Sequence, residues 1–395
     1  MLKIKHLLFQ LGLSTLAISS AVSAEETIEF NKGVPKLKAK TYVLMDYNSG
    51  QVLASLNPDQ RHYPASLTKM MTSYVIGSAL KQGYITDEDE VIISKNAWGG
   101  GKEFHGSSKM FLNLNQKVSV ADLNRGIVIA SGNDACVAMA EHISGTQKEF
   151  IKVMNQYVKK FGLKNTHFET VHGLDDPNQY SSAYDMAVIG SHIIRDLPEE
   201  YKIYSEKEFT FNKIKQNNRN GLLWDKSMNV DGMKTGHTNE AGYNLVASAI
   251  NPNTRLISVV MGVPTYKGRE IESKKLLKWG FANFETFKPL QAGKSIAEQS
   301  VYYGDKNKVR LGSLTDSYIT IPKGKQKQLK ARYELEGKVL KAPLVKGQVV
   351  GKVIYQLSGK DIASANLQVM EDVMEGNVLG QAWDWGILTV KGLFN

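Results

Sequence analysis

Two short apolar runs, Lys40 to Asp46 and Gln51 to Leu56, flank Asn48-Ser49-Gly50. That pattern predicts two strands joined by a tight hairpin. The texture then changes. Leu67 to Leu80 is largely apolar at helical spacing, Leu123 to Ala130 and Asp134 to Ile143 read the same way, and helical pattern dominates from Ser66 to Arg195. Strand character returns around Val230 to His237, then at Tyr243 to Ile250 and Leu256 to Val263, which are separated by Asn251-Pro252-Asn253. A last helix is predicted near Arg269 to Phe284. Strands early and late with helices between predict a mixed α/β fold: an antiparallel sheet with helices on both faces and a helical insertion. After Pro289 the alternating segments Ser317 to Ile321, Lys338 to Leu344 and Gly347 to Leu357 predict a small all-β domain.

The two ends carry patterns of their own. Lys3 and Lys5 precede an apolar run from Leu7 to Ala17 and the small residues Ala21-Val22-Ser23-Ala24, a secretory signal with cleavage after Ala24. A membrane-spanning helix is the weaker reading, because the run is short. At the other end, Leu379, Trp383, Ile387, Val390 and Phe394 fall on one helical face, widened by Trp385 and Leu388. Asn377, Gln381, Asp384 and Lys391 form the opposite stripe. The charges make spanning costly, so the pattern predicts a helix lying in a membrane interface. A helix packed on the β domain has the same moment and is the alternative. The predicted organisation is a signal peptide over 1–24, a first domain over 25–287, the β domain over 288–375 and the amphipathic helix over 376–395.

Composition narrows the class. The 395 residues are 42% hydrophobic, ordinary for a globular chain, with a formal charge of +10. Removing Lys3 and Lys5 with the leader leaves +8. Lysines crowd the β domain: between Lys323 and Lys352 they face only Glu334 and Glu336. For an exported protein this is a solvated basic face or one suited to an anionic envelope surface, and nucleic acid is not an expected partner. The single cysteine, Cys136, forms no internal disulfide and reads as a small buried hydrophobe. No His/Cys clustering suggests a metal, and no cofactor is expected.

Three motifs carry candidate chemistry: Ser66-Leu67-Thr68-Lys69, Ser131-Gly132-Asn133 and Lys234-Thr235-Gly236. Pro64 biases its predecessor away from helix, so Ser66 falls at a helix N-terminus. Alone it reads as a capping serine. Lys69 lies one turn on, on the same face, within reach of its hydroxyl. A lysine desolvated beside another cation loses its proton near neutral pH, and Lys234 supplies that cation. Ser78 to Lys81 repeats the spacing three turns into the helix, where a serine bonds its own backbone or faces solvent, and reads as a decoy. Ser131-Gly132-Asn133 alone is a capped connector. The glycines around Lys234 alone mark a bulged edge strand or a close backbone approach. Their order together favours one acyl-transfer site.

The trio resembles the penicillin-binding protein and serine β-lactamase superfamily. Tyr63 to Thr72, Ser131 to Cys136, Gly173-Leu174-Asp175, Gln179 to Ala183, Asp231 to Thr238 and Ser273 to Leu277 are most similar to low-molecular-mass D-alanyl-D-alanine carboxypeptidases of the type-5 penicillin-binding protein kind. The resemblance covers essentially the whole chain. It implies a β-lactamase/transpeptidase-like catalytic domain and a membrane-anchoring tail. It implies removal of the terminal D-alanine from peptidoglycan pentapeptides through an acyl-enzyme, and acylation by β-lactams. It assigns Ser66 as nucleophile, Lys69 as base, Ser131 as proton relay, and the amides of Ser66 and His237 as oxyanion hole. Asn133, Lys234, Thr235, Gly236, His237, Arg269 and Arg219 are candidates for substrate binding. Two rivals stand. A serine β-lactamase typically brings a glutamate to the deacylating water, whereas Gly173 to Tyr180 offers aspartates and no glutamate. A catalytically inactive peptidoglycan-binding scaffold sits poorly with an intact motif set.

Overall fold

The computed structural model describes residues 33–337 and 339–393, so the leader read over 1–24 and the terminal Phe394 lie outside the described residues. Contacts divide the described residues into two compact units, 33–291 with 316–327, and 292–315 with 328–337 and 339–393.

The first unit is built on a five-stranded antiparallel sheet. Its strands are β1 (Thr41–Asp46), β2 (Val52–Leu56), β3 (Asn229–Thr238), β4 (Gly242–Asn251) and β5 (Thr254–Val263), in the order β2-β1-β5-β4-β3. The hairpin read at Asn48-Ser49-Gly50 is present, with Gly50 at φ +71° and Asp46 N bonded to the Gln51 carbonyl. The central strands are covered on both faces, so successive side chains enter two different cores. Val43 and Met45 of β1 face the helices, while Tyr42 and Leu44 face the opposite side.

The larger core is filled from α1 (Thr68–Lys81), α2 (Val120–Val128), α3 (Asn133–Ser144), α4 (Gln147–Lys160) and α5 (Ala183–Asp196). Almost all of α1 is buried, in keeping with its largely apolar sequence, and Lys69, Thr72 and Ser73 are buried with it. The smaller core lies under α6 (Tyr266–Asn283), whose Leu276 and Leu277 meet Leu245, Ala247 and Val260. Helix starts follow local chemistry: Ser119, Thr146, Ser182 and Thr265 each accept the backbone N–H three residues on.

The second unit carries a six-stranded sheet: Leu329–Leu335, Val349–Leu357, Lys360–Val369, Lys308–Gly312, Ser295–Tyr302 and Leu340–Lys341, in that spatial order. Two expectations change here. The segment Ser317–Pro322 is a strand, but it pairs antiparallel with Phe284–Leu290 in the first unit. A fully buried carboxylate accounts for this. Asp46 accepts from Ser49 N at 2.7 Å and from the Thr286 hydroxyl at 2.8 Å. Thr320 bonds the Ser49 hydroxyl at 2.8 Å, completing the shell that an isolated buried charge requires. The strand expected over Lys338 to Leu344 shrinks to Leu340–Lys341, since Pro343 has no N–H to continue a ladder.

The chain ends in a helix over Val378–Leu393. One polar residue of the stripe turns inward: the Asp384 carboxylate accepts from Tyr303 N, while Gln381 donates to the Gly376 carbonyl just before the helix at 2.8 Å. Leu379 is 84% and Trp383 73% exposed, so the first half of its apolar face is left uncovered. Among the described residues, no helix is long and apolar enough to cross a membrane.

Candidate active site

Ser66 occupies a short 3-10 turn, Ala65–Leu67, immediately before α1. Two glycines press on that turn. A Cβ on Gly236 of β3 would stand 2.7 Å from the Pro64 carbonyl and 3.2 Å from Ser66 N. A Cβ on Gly173 would fall 1.9 Å from the Ala65 carbonyl, and its φ of +90° independently requires glycine. The motif glycine is therefore there for close approach, and β3 is also the edge strand that its sequence permitted. Asn244, wholly buried, fastens the same segment by donating to the Tyr63 and Pro64 carbonyls at 3.0 and 3.3 Å.

The Lys69 amine, 1% exposed, lies 3.1 Å from Ser66 Oγ. It also donates to Asn133 Oδ1 at 2.6 Å and to the His172 carbonyl at 2.5 Å. Burial above all pulls its pKa down to about 8, with the charge of Arg219 adding to it and Cys136 and Asp134 opposing. Lys234 is equally buried and donates to Ser131 Oγ at 3.0 Å. Burial first, then repulsion from Lys69 and Arg219, hold its pKa well below the lysine range. His172 is pushed down to about 3 by burial and by Lys69, so its ring is neutral and its Nδ1 accepts from Leu174 N at 3.2 Å.

Ser131 sits just before α3 with φ +58°, a backbone conformation rare for serine and typical of functional loops. Asn133 begins α3. On its far side Asn133 Nδ2 donates to Ser107 Oγ at 3.0 Å, and its N–H bonds the Ser108 carbonyl at 2.9 Å. Asp134, also buried, accepts from Met110 N at 2.8 Å and Leu112 N at 3.1 Å. The loop over 107–112 is thereby fixed to the second motif.

The remaining candidates gather at the end of β3. Thr235 is buried, whereas the His237 ring is exposed and stacks on Tyr243 at 4.0 Å between centroids. Arg269 is buried, with its guanidinium 4.3 Å from the centre of the Tyr266 ring and a buried Nε–H that has no partner. It donates to the Arg219 carbonyl at 3.2 Å, while Arg219 reaches Ser108 Oγ at 2.6 Å. Lys69, Lys234, Arg219 and Arg269 thus gather positive charge in one place, suited to an anionic substrate group.

All ten residues singled out from the sequence belong to this one neighbourhood. The decoy does not: Ser78 shares a hydrogen bond with Tyr157 at 2.7 Å, and Lys81 caps the Asp196 carbonyl. Cys136 is buried with its thiol pKa pushed up to about 11, an unreactive core residue. Sequence reasoning missed Ser107, Ser108, Asn244, Asp134 and the His172 carbonyl. Only Asp134 had a signal, its place directly after Asn133. Among the described residues no cluster of acids, histidines and cysteines could hold a metal ion.

Residues 28–265 match the D-alanyl-D-alanine carboxypeptidase family, and residues 284–375 match the C-terminal domain of penicillin-binding protein 5. The chain is 71% identical to D-alanyl-D-alanine carboxypeptidase DacA of Haemophilus influenzae over 97% of each sequence. It is 55% identical to Escherichia coli DacA over 95% of each. A crystal structure of penicillin-binding protein 5 from H. influenzae superimposes with a TM-score of 0.84 at 74% identity, covering 86% of this chain and 99% of that one. With motif geometry, whole-chain identity and fold in agreement, the protein belongs to the D-alanyl-D-alanine carboxypeptidase family of penicillin-binding proteins.

Proposed function

We propose that this carboxypeptidase removes the terminal D-alanine of peptidoglycan pentapeptides with Ser66 as nucleophile and Lys69 as its base. The coordination of the Lys69 amine carries the reading. A neutral amine has two N–H donors and one lone pair. Asn133 Oδ1 and the His172 carbonyl take the two donors, and the lone pair is left for the Ser66 hydroxyl.

Ser66 Oγ attacks the carbonyl carbon of the penultimate D-alanine as its proton passes to Lys69. The developing oxyanion is met by the backbone N–H groups of Ser66 and His237, which the Gly236 approach supports. Losing such a donor typically costs about 10²–10³ in rate. Collapse of the adduct breaks the C–N bond, and Ser131, backed by Lys234, passes a proton to the departing D-alanine nitrogen. Water then hydrolyses the ester, restoring Ser66 and leaving a tetrapeptide. Asn133 holds the peptide amide. Thr235, His237 and Arg269, with Arg219 behind, receive the terminal carboxylate. A β-lactam enters the same path as an acylating agent.

The same arrangement favours neither a β-lactamase nor an inactive scaffold. Asp175, one of the two aspartates this loop offers in place of a glutamate, is bonded to the Thr238 hydroxyl at 2.8 Å. An inactive scaffold leaves no reason for two buried, depressed lysines beside a serine.

The reading places the enzyme outside the inner membrane, exported by its leader and held peripherally by its last helix. Support comes from the exposed Leu379 and Trp383 and from Asp384, which turns to Tyr303 N, the reverse of a helix that buries these apolar residues on its own domain.

Ser66→Ala is expected to fold yet release no D-alanine from a D-Ala-D-Ala peptide and take up no labelled penicillin, whereas Ser78→Ala retains both. Persistent labelling of Ser66→Ala would displace the nucleophile.

With a Lys69 pKa of about 8, about one site in ten holds the neutral amine at pH 7. The base form grows as protons leave, so acylation should rise with pH up to about 8 and level off above it. Lys69→Arg cannot deprotonate and should lose both the rate and this limb. Stopped-flow acylation across pH 6–10 checks this, and a pH-independent wild-type rate would contradict it.

Cutting the chain after Gly376 should move active enzyme from the membrane fraction to the soluble one. Truncated enzyme that still sediments with membranes would refute the anchor.

A further inference from the structure

The turn that carries Ser66 is gripped from two sides. On one side stands the loop that begins at Gly173, close enough to the Ala65 carbonyl that no side chain fits between them. On the other stands β3 at Gly236, close against the Pro64 carbonyl and Ser66 N. The two elements lie about sixty residues apart in sequence and belong to different parts of the fold, one a connector before α5, the other the edge of the sheet.

Each also delivers a group to the chemistry. The first supplies the His172 carbonyl to Lys69. The second supplies the backbone at His237. Their spacing therefore sets the relation between base, nucleophile and oxyanion donors. Edge strands and surface loops move most readily, and an error of about 1 Å in such a constellation costs on the order of 100-fold in rate.

One side-chain bond spans the two elements beyond Ser66. The Thr238 hydroxyl donates to Asp175 Oδ1 at 2.8 Å. The same oxygen accepts from Ala241 N at 3.1 Å, so the hydroxyl is oriented by the turn after β3 and its proton is aimed at the carboxylate. Asp175 is two residues from Gly173, and Thr238 is two from Gly236. The glycines set the contact and the bond holds it closed.

We propose that Asp175 and Thr238 form a clamp across the mouth of the site, a pair of positioning residues that fix the Gly173 loop against β3 and so hold the base and the oxyanion donors in register with Ser66. This rests on the acyl-transfer reading of the site given above. It predicts a pattern that other roles for Asp175 do not. A clamp acts on the geometry of every step, so both partners matter equally, and acylation and deacylation both slow. A carboxylate that activates the hydrolytic water affects deacylation alone, and Thr238 does not share the effect.

The test uses the full-length protein and a fluorescent penicillin, following both formation and decay of the adduct. Asp175→Ala, Thr238→Val, the double variant and Thr238→Ser are compared with wild type, with thermal midpoints recorded for each. Asp175→Ala and Thr238→Val are each expected to slow acylation about 3- to 10-fold, the range for loss of one hydrogen bond. The double variant should be no slower than the slower single, because the second substitution removes a bond already gone. Thr238→Ser keeps the hydroxyl and should return near the wild-type rate at a similar thermal midpoint. Losses that multiply in the double variant would overturn the clamp. So would unchanged acylation in both singles, a defect of Asp175→Ala confined to adduct decay, or a Thr238→Ser enzyme as slow as Thr238→Val. Labelling of wild-type Ser66 tests the acyl-transfer reading separately, since the clamp is judged only from rate ratios among enzymes that label there.

Discussion

Two lysine amines are buried in this protein within range of each other's charge, and much of the site is arranged around that fact. Burying an ammonium is costly unless it is paired or neutralised. Here the groups that contact Lys69 are a hydroxyl, a side-chain amide and a backbone carbonyl. Such partners orient an amine without holding its proton. Arg219 raises the cost of charging Lys69 further, and Lys69 in turn raises that of charging Lys234. The base is therefore made by desolvation and repulsion. This explains why the serine sits at the start of a buried helix, and why the loop carbonyl of His172 must approach closely enough to require glycine at the next position.

The same constraint organises the surrounding layers. Asn133 serves both lysine chemistry and architecture: its oxygen faces Lys69, and its amide nitrogen ties down Ser107. Asp134 uses a buried carboxylate to fix the backbone of that loop. Asn244 fixes the segment that precedes Ser66. These contacts confer rigidity, and the one carboxylate among them, Asp134, commits its oxygens to backbone N–H groups and only weakly supports charge on Lys69. Anion-recognising charge is carried by arginines, Arg219 at the surface and Arg269 buried beside Tyr266.

How much of this was legible in the sequence follows from range. The spacing of Ser66 and Lys69 is one helical turn, so local geometry alone brought them together. The hairpin at Asn48-Ser49-Gly50, the strands around Asn251-Pro252-Asn253 and the apolar α1 also rest on local rules. The convergence of Ser131 and Lys234 on the same site came from motif order and family resemblance, since no local rule joins residues 103 apart. Asn244 and Ser107 had no signal, because their roles exist only once distant backbone segments arrive. The pairing of Ser317–Pro322 with Phe284–Leu290 was not legible for a related reason: alternation announces a strand but not its partner. The terminal helix shows a moment by sequence, but which way it faces was fixed by the bond from Tyr303 N to Asp384.

The most direct test of the account is the protonation of Lys69 itself. Carbon-13 and nitrogen-15 NMR of the lysine ε-CH₂ and amine groups, with the Lys69 signal assigned from its absence in Lys69→Arg, gives the titration midpoint without reference to rate. The account predicts a midpoint near about 8 in the free enzyme. A Lys69 amine that remains protonated up to the ordinary lysine value of about 10.4 would contradict it, and the serine would then need another base.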